Sequence, residues 1–124
     1  LFQVFEAREL TNLLTRHSIL IDNSLTNPPE ISVVLTVYNQ EKIIEKVLNG
    51  IIVNSSLKID LIIIDDASSD NTNKVIRNIV ATLKEKNVEN IAMIRLIKNK
   101  ISRFETFCDD LGIRICSCET VILI

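Results

Sequence analysis

No long apolar run, no basic block and no dominant charge of one sign occur in these 124 residues, which hold a single histidine and three cysteines. Each shortage removes a class of function. No uninterrupted apolar segment reaches the roughly 18 residues of a membrane helix, and no signal peptide opens the sequence, so no membrane segment is expected and a cytoplasmic setting is. A net charge of -2 gives no electrostatic footprint for nucleic acid or for an anionic membrane surface. Cys108, Cys116 and Cys118 form no even disulfide framework and read as reduced thiols. Cys116 and Cys118 fall on one side of an extended segment, yet two thiolates make only half of a tetrahedral metal site. No internal repeat or low-complexity segment is present. The sequence begins at Leu1 without an initiator Met and stops within an apolar run, which leads us to expect a fragment.

What is present is apolar content, 47% of residues, concentrated in short blocks. Ile31-Ser32-Val33-Val34-Leu35-Thr36-Val37 and Leu61-Ile62-Ile63-Ile64 are continuous apolar runs without alternation, the pattern of strands covered on both faces. Each ends in a polar cluster, Tyr38-Asn39-Gln40-Glu41 and Asp65-Asp66-Ala67-Ser68-Ser69-Asp70. A helix-period segment follows each cluster, so the unit reads as β-α-β-α around a parallel sheet. In such open sheets ligands bind beyond the carboxyl ends of the strands, where both clusters lie.

Taken in order, residues 1–29 read as a helical arm and linker. Leu10, Leu13, Leu14 and His17 share one helical face between Glu6 and His17, and the linker ends in Asn27-Pro28-Pro29. His17, far in sequence from both polar clusters, reads as a surface or partly buried residue rather than a catalytic one. Residues 30–124 read as the domain. In its first helix Ile43, Ile44, Val47, Leu48, Ile51 and Ile52 recur with helical period, with Asn39 at the N-cap position and Glu41 near the positive helix end. Gly50 inside that helix implies close packing. Asp70 is placed to cap a second helix carrying Val75, Ile76, Ile79, Val80 and Leu83. A third strand spans Ile91 to Ile97. A third helix sets Phe104, Phe107, Cys108 and Leu111 on one stripe, its phenylalanines in the core, with Gly112 as its stop. Thr120 to Ile124 reads as a fourth strand, and right-handed crossovers suggest the order 3-2-1-4. An uncovered edge of four apolar residues there predicts self-association.

The block Ile31 to Glu41, followed by Ile64-Asp65-Asp66-Ala67-Ser68-Ser69-Asp70-Asn71-Thr72, resembles the amino-terminal half of a family 2 glycosyltransferase. The resemblance covers about Glu30 to Ile124. It implies an α/β fold, a Rossmann-like open parallel sheet with helices on both faces, as part of the A-type glycosyltransferase fold. The implied activity is transfer of a sugar from a nucleotide diphosphate donor, commonly a uridine one, to a saccharide or lipid acceptor. In the resembling family the acidic pair marks the nucleoside pocket, which makes Asp66, then Asp65, the candidates for accepting from the base imide. Thr36, Val37, Tyr38 and Asn39 would form the opposite wall, with Glu41 and Ser68 beside them. A strand like Val121-Ile122-Leu123-Ile124 there runs into an Asp-x-Asp motif holding a divalent metal, Mn or Mg. That motif is not within these residues, so the expectation is a full-length parent that uses metal and a fragment that is itself inactive and holds none. The family's Arg-Asn-x-Gly segment beside the phosphates is also replaced, by Asp109-Asp110-Leu111-Gly112, and Ile101 stands where a glycine is usual.

Read from the residues alone, Asp65 and Asp66 have two uses. Adjacent carboxylates ending a buried strand repel unless one meets a ligand or amide donors, and short acidic side chains also cap turns. Two other classes fit parts of the pattern. A receiver-type signalling domain has an acidic pair beyond a parallel strand, but needs a phosphoacceptor Asp on a later strand, where Lys98 stands. A non-catalytic nucleotide-binding or interaction module needs none of the missing machinery.

Overall fold

The computed structural model describes residues 15–124. Its elements run β1 (Thr15–Asp22), β2 (Ile31–Val37), α1 (Ile44–Asn54), β3 (Ile59–Asp65), α2 (Thr72–Lys86), β4 (Ile91–Asn99), α3 (Phe104–Ile115) and β5 (Val121–Leu123). The five strands form one mixed sheet in the order β1-β4-β3-β2-β5. β2 pairs in parallel with β3 and β5, and β3 with β4. The expected order 3-2-1-4 describes these four strands and omits the fifth.

That fifth strand, β1, corrects the reading of a helical arm and linker. Thr15 to Asp22 is extended and runs antiparallel to β4, with His17 opposite Ile97 and a bulge between Ile19 and Ile21. Only Ile21 of the strand is buried, so its own pattern carries little strand signal, and pairing with β4 decides its conformation. The part of the expected helix from Glu6 to Leu14 lies outside the described residues.

The runs without alternation are explained by two cores. Val33, Leu35 and Val37 of β2, with Leu61 and Ile63 of β3, pack against Ile44, Leu48 and Ile52 of α1 and Ile76 and Val80 of α2. Val34, Ile62, Ile64 and Ile97 point the other way and meet Cys108 and Leu111 of α3. Neighbouring residues of one strand therefore serve opposite faces, as the strand's two-residue period requires. No helix among the described residues is long and apolar enough to cross a membrane.

The glycines exchange roles. Gly50 has no neighbouring atom where a side chain would project, so no close packing occurs there. Gly112 does not stop its helix; α3 continues to Ile115. A Cβ at Gly112 would run into both γ-methyls of Val34, so this glycine is what lets α3 lie against β2. Phe104 is another correction. It is 77% exposed at the first residue of α3, with a left-handed φ of 66°. Phe107 is partly buried against the second core, and the Arg103 guanidinium lies 5.5 Å from its ring centroid. Asn39 caps no helix either; Ile43 precedes α1 without a side-chain cap, after a turn in which Gln40 O accepts from the Ile43 and Ile44 amides.

A polar network sits inside the sheet. Asp60 of β3 is fully buried and takes both carboxylate bonds from Arg95 Nη2, at 2.7 and 3.0 Å. Its Oδ2 also accepts from Ser32 Oγ and from the Ser117 amide. Arg95 Nη1 donates to Ile115 O, the last carbonyl of α3, at 2.7 Å. The network thus fixes the end of α3 and the turn into β5.

Candidate functional site

The two loops beyond β2 and β3 are one structure. The Asp66 amide donates to Val37 O at 2.9 Å, bringing the strand ends together. Asn39, in the left-handed region at φ 48°, receives the Ser69 amide on Oδ1 at 2.8 Å and donates its own amide to Ser68 Oγ at 3.0 Å. The Gln40 amide donates to Thr72 Oγ1 at 2.8 Å, and the Asn71 amide to Glu41 Oε2 at 3.2 Å. Asp70 receives both the amide and the hydroxyl of Thr72. It therefore serves the start of α2 as expected, one residue ahead of the cap position, which Asn71 holds without a side-chain bond. These hydrogen bonds, with burial opposing them, hold the Asp70 carboxyl below its ordinary value.

Asp65 and Asp66 diverge. Asp65 is fully buried, with Oδ1 taking the Ser68 amide at 2.9 Å and Oδ2 taking Asn73 Nδ2 at 3.1 Å. It closes the turn and ties it to α2. Asp66 turns to the opposite face, toward α3. Its Oδ1 accepts from Asn99 Nδ2 at 2.8 Å and the Arg103 amide at 2.7 Å, and its Oδ2 from Ser102 Oγ at 2.8 Å and the Phe104 amide at 3.0 Å. Burial pushes this carboxyl upward, but the donors from Asn99, Arg103, Ser102 and Phe104 outweigh it and hold it below the usual range. The two amides belong to the start of α3, so the carboxylate satisfies donors that open a helix. The nearby Cys108 thiol is pushed up to about 12, first by burial and then by the Asp66 charge. It stays protonated and unreactive.

Of the eight residues singled out from the sequence, Asn39, Glu41 and Ser68 thus spend hydrogen bonds in joining the loops, and Asp65 spends its own within the second loop and on α2. Val37 is buried and Tyr38 is 52% exposed. The Thr36 hydroxyl is partly buried, 3.5 Å from Asp109 Oδ1 of α3. Thr36, Tyr38 and Asp66 lie at the carboxyl ends of β2 and β3, where Asp66 is bonded to the segment from Asn99 to Phe104 and Thr36 to Asp109. The segment Asn99 to Phe104 was not anticipated as a wall. The only sequence signal for it was the row of polar residues after the third strand, which names no partner.

Among the described residues no group of three or more His, Cys, Asp and Glu side chains is placed to hold a metal ion. The acidic residues at this end are spread over both faces and engaged with amides and hydroxyls, so the donor set does not fit a divalent cation.

The sequence model of glycosyl transferase family 2 matches residues 32–103. An uncharacterized glycosyltransferase of Mycoplasma genitalium, MG060, is 48% identical over 52 residues, a stretch that makes up 40% of this chain and 18% of that protein. Among solved structures, the mannosyltransferase PcManGT of Pyrobaculum calidifontis, in complex with GDP-Man and Mn2+, superposes with a TM-score of 0.62 at 20% identity. The match covers 72% of this chain and 25% of that one. Residues 1–349 of TarS from S. aureus give a TM-score of 0.60 at 19% identity, covering 77% and 26%. The chain thus spans about a quarter or less of these relatives, and the structural likeness establishes the A-type fold.

Proposed function

The chain belongs to glycosyl transferase family 2, and on that premise we propose that it forms the part of a glycosyltransferase that receives the nucleotide of a nucleotide diphosphate sugar, of the uridine type. The reading is carried by one observation: Asp66 is a buried carboxylate at the carboxyl ends of the parallel strands, held ionised by neutral donors and paired with no cation among the described residues. A buried charge left without a counterion is costly, and such groups gather at functional sites.

In this proposal Thr36 and Tyr38 line one side of the nucleoside pocket and the Asn99 to Phe104 segment the other. Tyr38 offers a flat amphipathic face to the base. The base imide N–H approaches Asp66 Oδ2 and takes the place of the Ser102 hydroxyl, the one side-chain donor on that oxygen. Asn39, Glu41 and Ser68 act as positioning residues that hold the two loops in register, and Asp65 fixes the second loop to α2. The sugar passes to a saccharide or lipid acceptor bound by other parts of the parent protein, in the cytoplasm. No step is assigned to a metal, because these residues do not fit one.

Titration of the chain with uridine diphosphate, followed by amide NMR shifts, tests the reading. We expect about millimolar affinity, roughly -4 kcal/mol, with shifts at residues 36–39, 65–68 and 99–104. Tyr38→Ala should weaken binding, and Ser102→Ala should tighten it by freeing an acceptor. Shifts absent from these residues, or binding indifferent to both substitutions, would reject the pocket. Guanosine diphosphate binding more tightly than uridine diphosphate would reject the uridine assignment alone.

A further inference from the structure

On the far side of the β3 loop lies a second cleft, of about 460 Å³, lined by Arg16, Ala67, Ser68, Ser69, Lys98, Asn99 and Lys100. Arg16 and Lys98 are register partners across the antiparallel β1–β4 pair, so two cations stand side by side on adjacent strands. Lys100 follows directly after β4. None of the three has a carboxylate within ion-pair distance among the described residues, in a chain whose net charge is -2. Asp65 is the register partner of Lys98 on β3, but its carboxylate turns to the Ser68 amide and Asn73 and forms no ion pair with Lys98. Arg77 reaches Ser18 of β1 from α2 and adds positive charge near the cleft.

We infer that this cleft is an anion site for a phosphorylated organic ligand, distinct from the nucleoside pocket proposed above. Like charges on neighbouring strands oppose pairing unless a counterion joins them, and clustered Arg and Lys side chains are the usual receivers of phosphoryl oxygens. The hydroxyls of Ser68 and Ser69 supply neutral polar groups beside the cations. The cleft's volume exceeds that of a lone phosphate several-fold, which leaves room for the organic part. Its inner wall supplies an independent sign: Asn99 is fully buried, and its Oδ1 has no hydrogen-bond partner. Its Nδ2 serves both Asp66 Oδ1 and Cys108 Sγ, so this side chain at the cleft's wall lacks a donor to its oxygen among the described residues. A ligand hydroxyl or N–H, after a small adjustment of the wall, is the group that would complete it. Arg16 lies before the family-matched residues 32–103, so the site is built partly from a strand outside that match.

Inorganic pyrophosphate tests this without relying on the nucleoside reading. At low ionic strength, where screening is weak, pyrophosphate should shift the amides of residues 16, 67–69 and 98–100 with saturation in the millimolar range. Lys98→Gln combined with Lys100→Gln should weaken this at least tenfold, while Tyr38→Ala leaves it unchanged. Chloride at matched ionic strength should produce no saturable shift at these positions. Diffuse shifts over all surface lysines, the same response to chloride, or an unchanged response in the double variant would overturn the proposal. Circular dichroism of the double variant, expected to match the parent because both side chains lie at the sheet's upper rim, guards against misfolding as the cause.

Discussion

Two buried aspartates, Asp60 within β3 and Asp66 directly after it, hold opposite ends of α3, and the two are handled in opposite ways. Asp60 holds the end of the helix and is neutralised by Arg95, whose guanidinium also reaches Ile115 O. Asp66 holds the start of the helix and, among the described residues, is met only by neutral groups. A charge closed by its own counterion inside the sheet serves structure. A charge left without a counterion at the rim of the sheet, beside the proposed pocket, still has attraction to offer. Both anchor α3, but only one can do so and still recognise something else.

The comparison breaks most visibly at Asp60. Arg95→Met leaves a fully buried carboxylate without its counterion, which should cost about 3–5 kcal/mol. Urea denaturation would measure it. Replacing both members, as Asp60→Leu with Arg95→Met, should recover much of that loss, since a buried pair adds little over apolar packing. A double variant as unstable as the single one would show that the bonds to Ser117 and Ile115 matter more than the charges.

Asp66→Ala should cost about 2–3 kcal/mol, because the Arg103 and Phe104 amides lose a charged acceptor. The cost should fall locally, as faster amide exchange from residues 99 to 108. Its pH dependence follows from the lowered carboxyl. The contribution is fully present above the ordinary aspartate value near 4 and is lost as pH falls through the lower folded value. The parent should therefore lose stability more steeply below about pH 4 than Asp66→Asn does. Parallel acid titrations of the two would contradict this.

Between the two anchors, Gly112→Ala drives a methyl into Val34 and should cost about 1–3 kcal/mol. Gly50→Ala in α1 meets open space and should stabilise by up to about 1 kcal/mol. Thermal unfolding of the pair measures how tightly α3 is held compared with α1. The smallest effect concerns β5, where Ile122, Leu123 and Ile124 are each about half exposed. We expect weak self-association through this edge, reduced by Ile122→Lys and visible by sedimentation.

Several elements could be read from the chain because local pattern and tertiary burial agree. The runs Ile31 to Val37 and Leu61 to Ile64 lack an apolar-polar alternation because both faces of the sheet are covered, and the helices at residues 44–54 and 72–86 show their buried stripes directly. The loops at Asn39 and Asp65 were legible as polar turns at the carboxyl ends of β2 and β3. Their detailed roles were not, since Asn39 bonds to residues about thirty positions away.

The sequence by itself determined the parallel β-α-β-α core, its strand order from β4 to β5 and the polar turns that end β2 and β3, because hydrophobic period and turn chemistry are local properties. Only the tertiary structure decided that Thr15 to Asp22 is an edge strand, that Gly112 rather than Gly50 is the point of close approach, and that Asp60 is answered by Arg95 while Asp66 is not. Each of those depends on a partner distant in the chain: backbone pairing with β4, a valine on a facing strand, a counterion 35 residues away. Period and propensity carry no record of such partners.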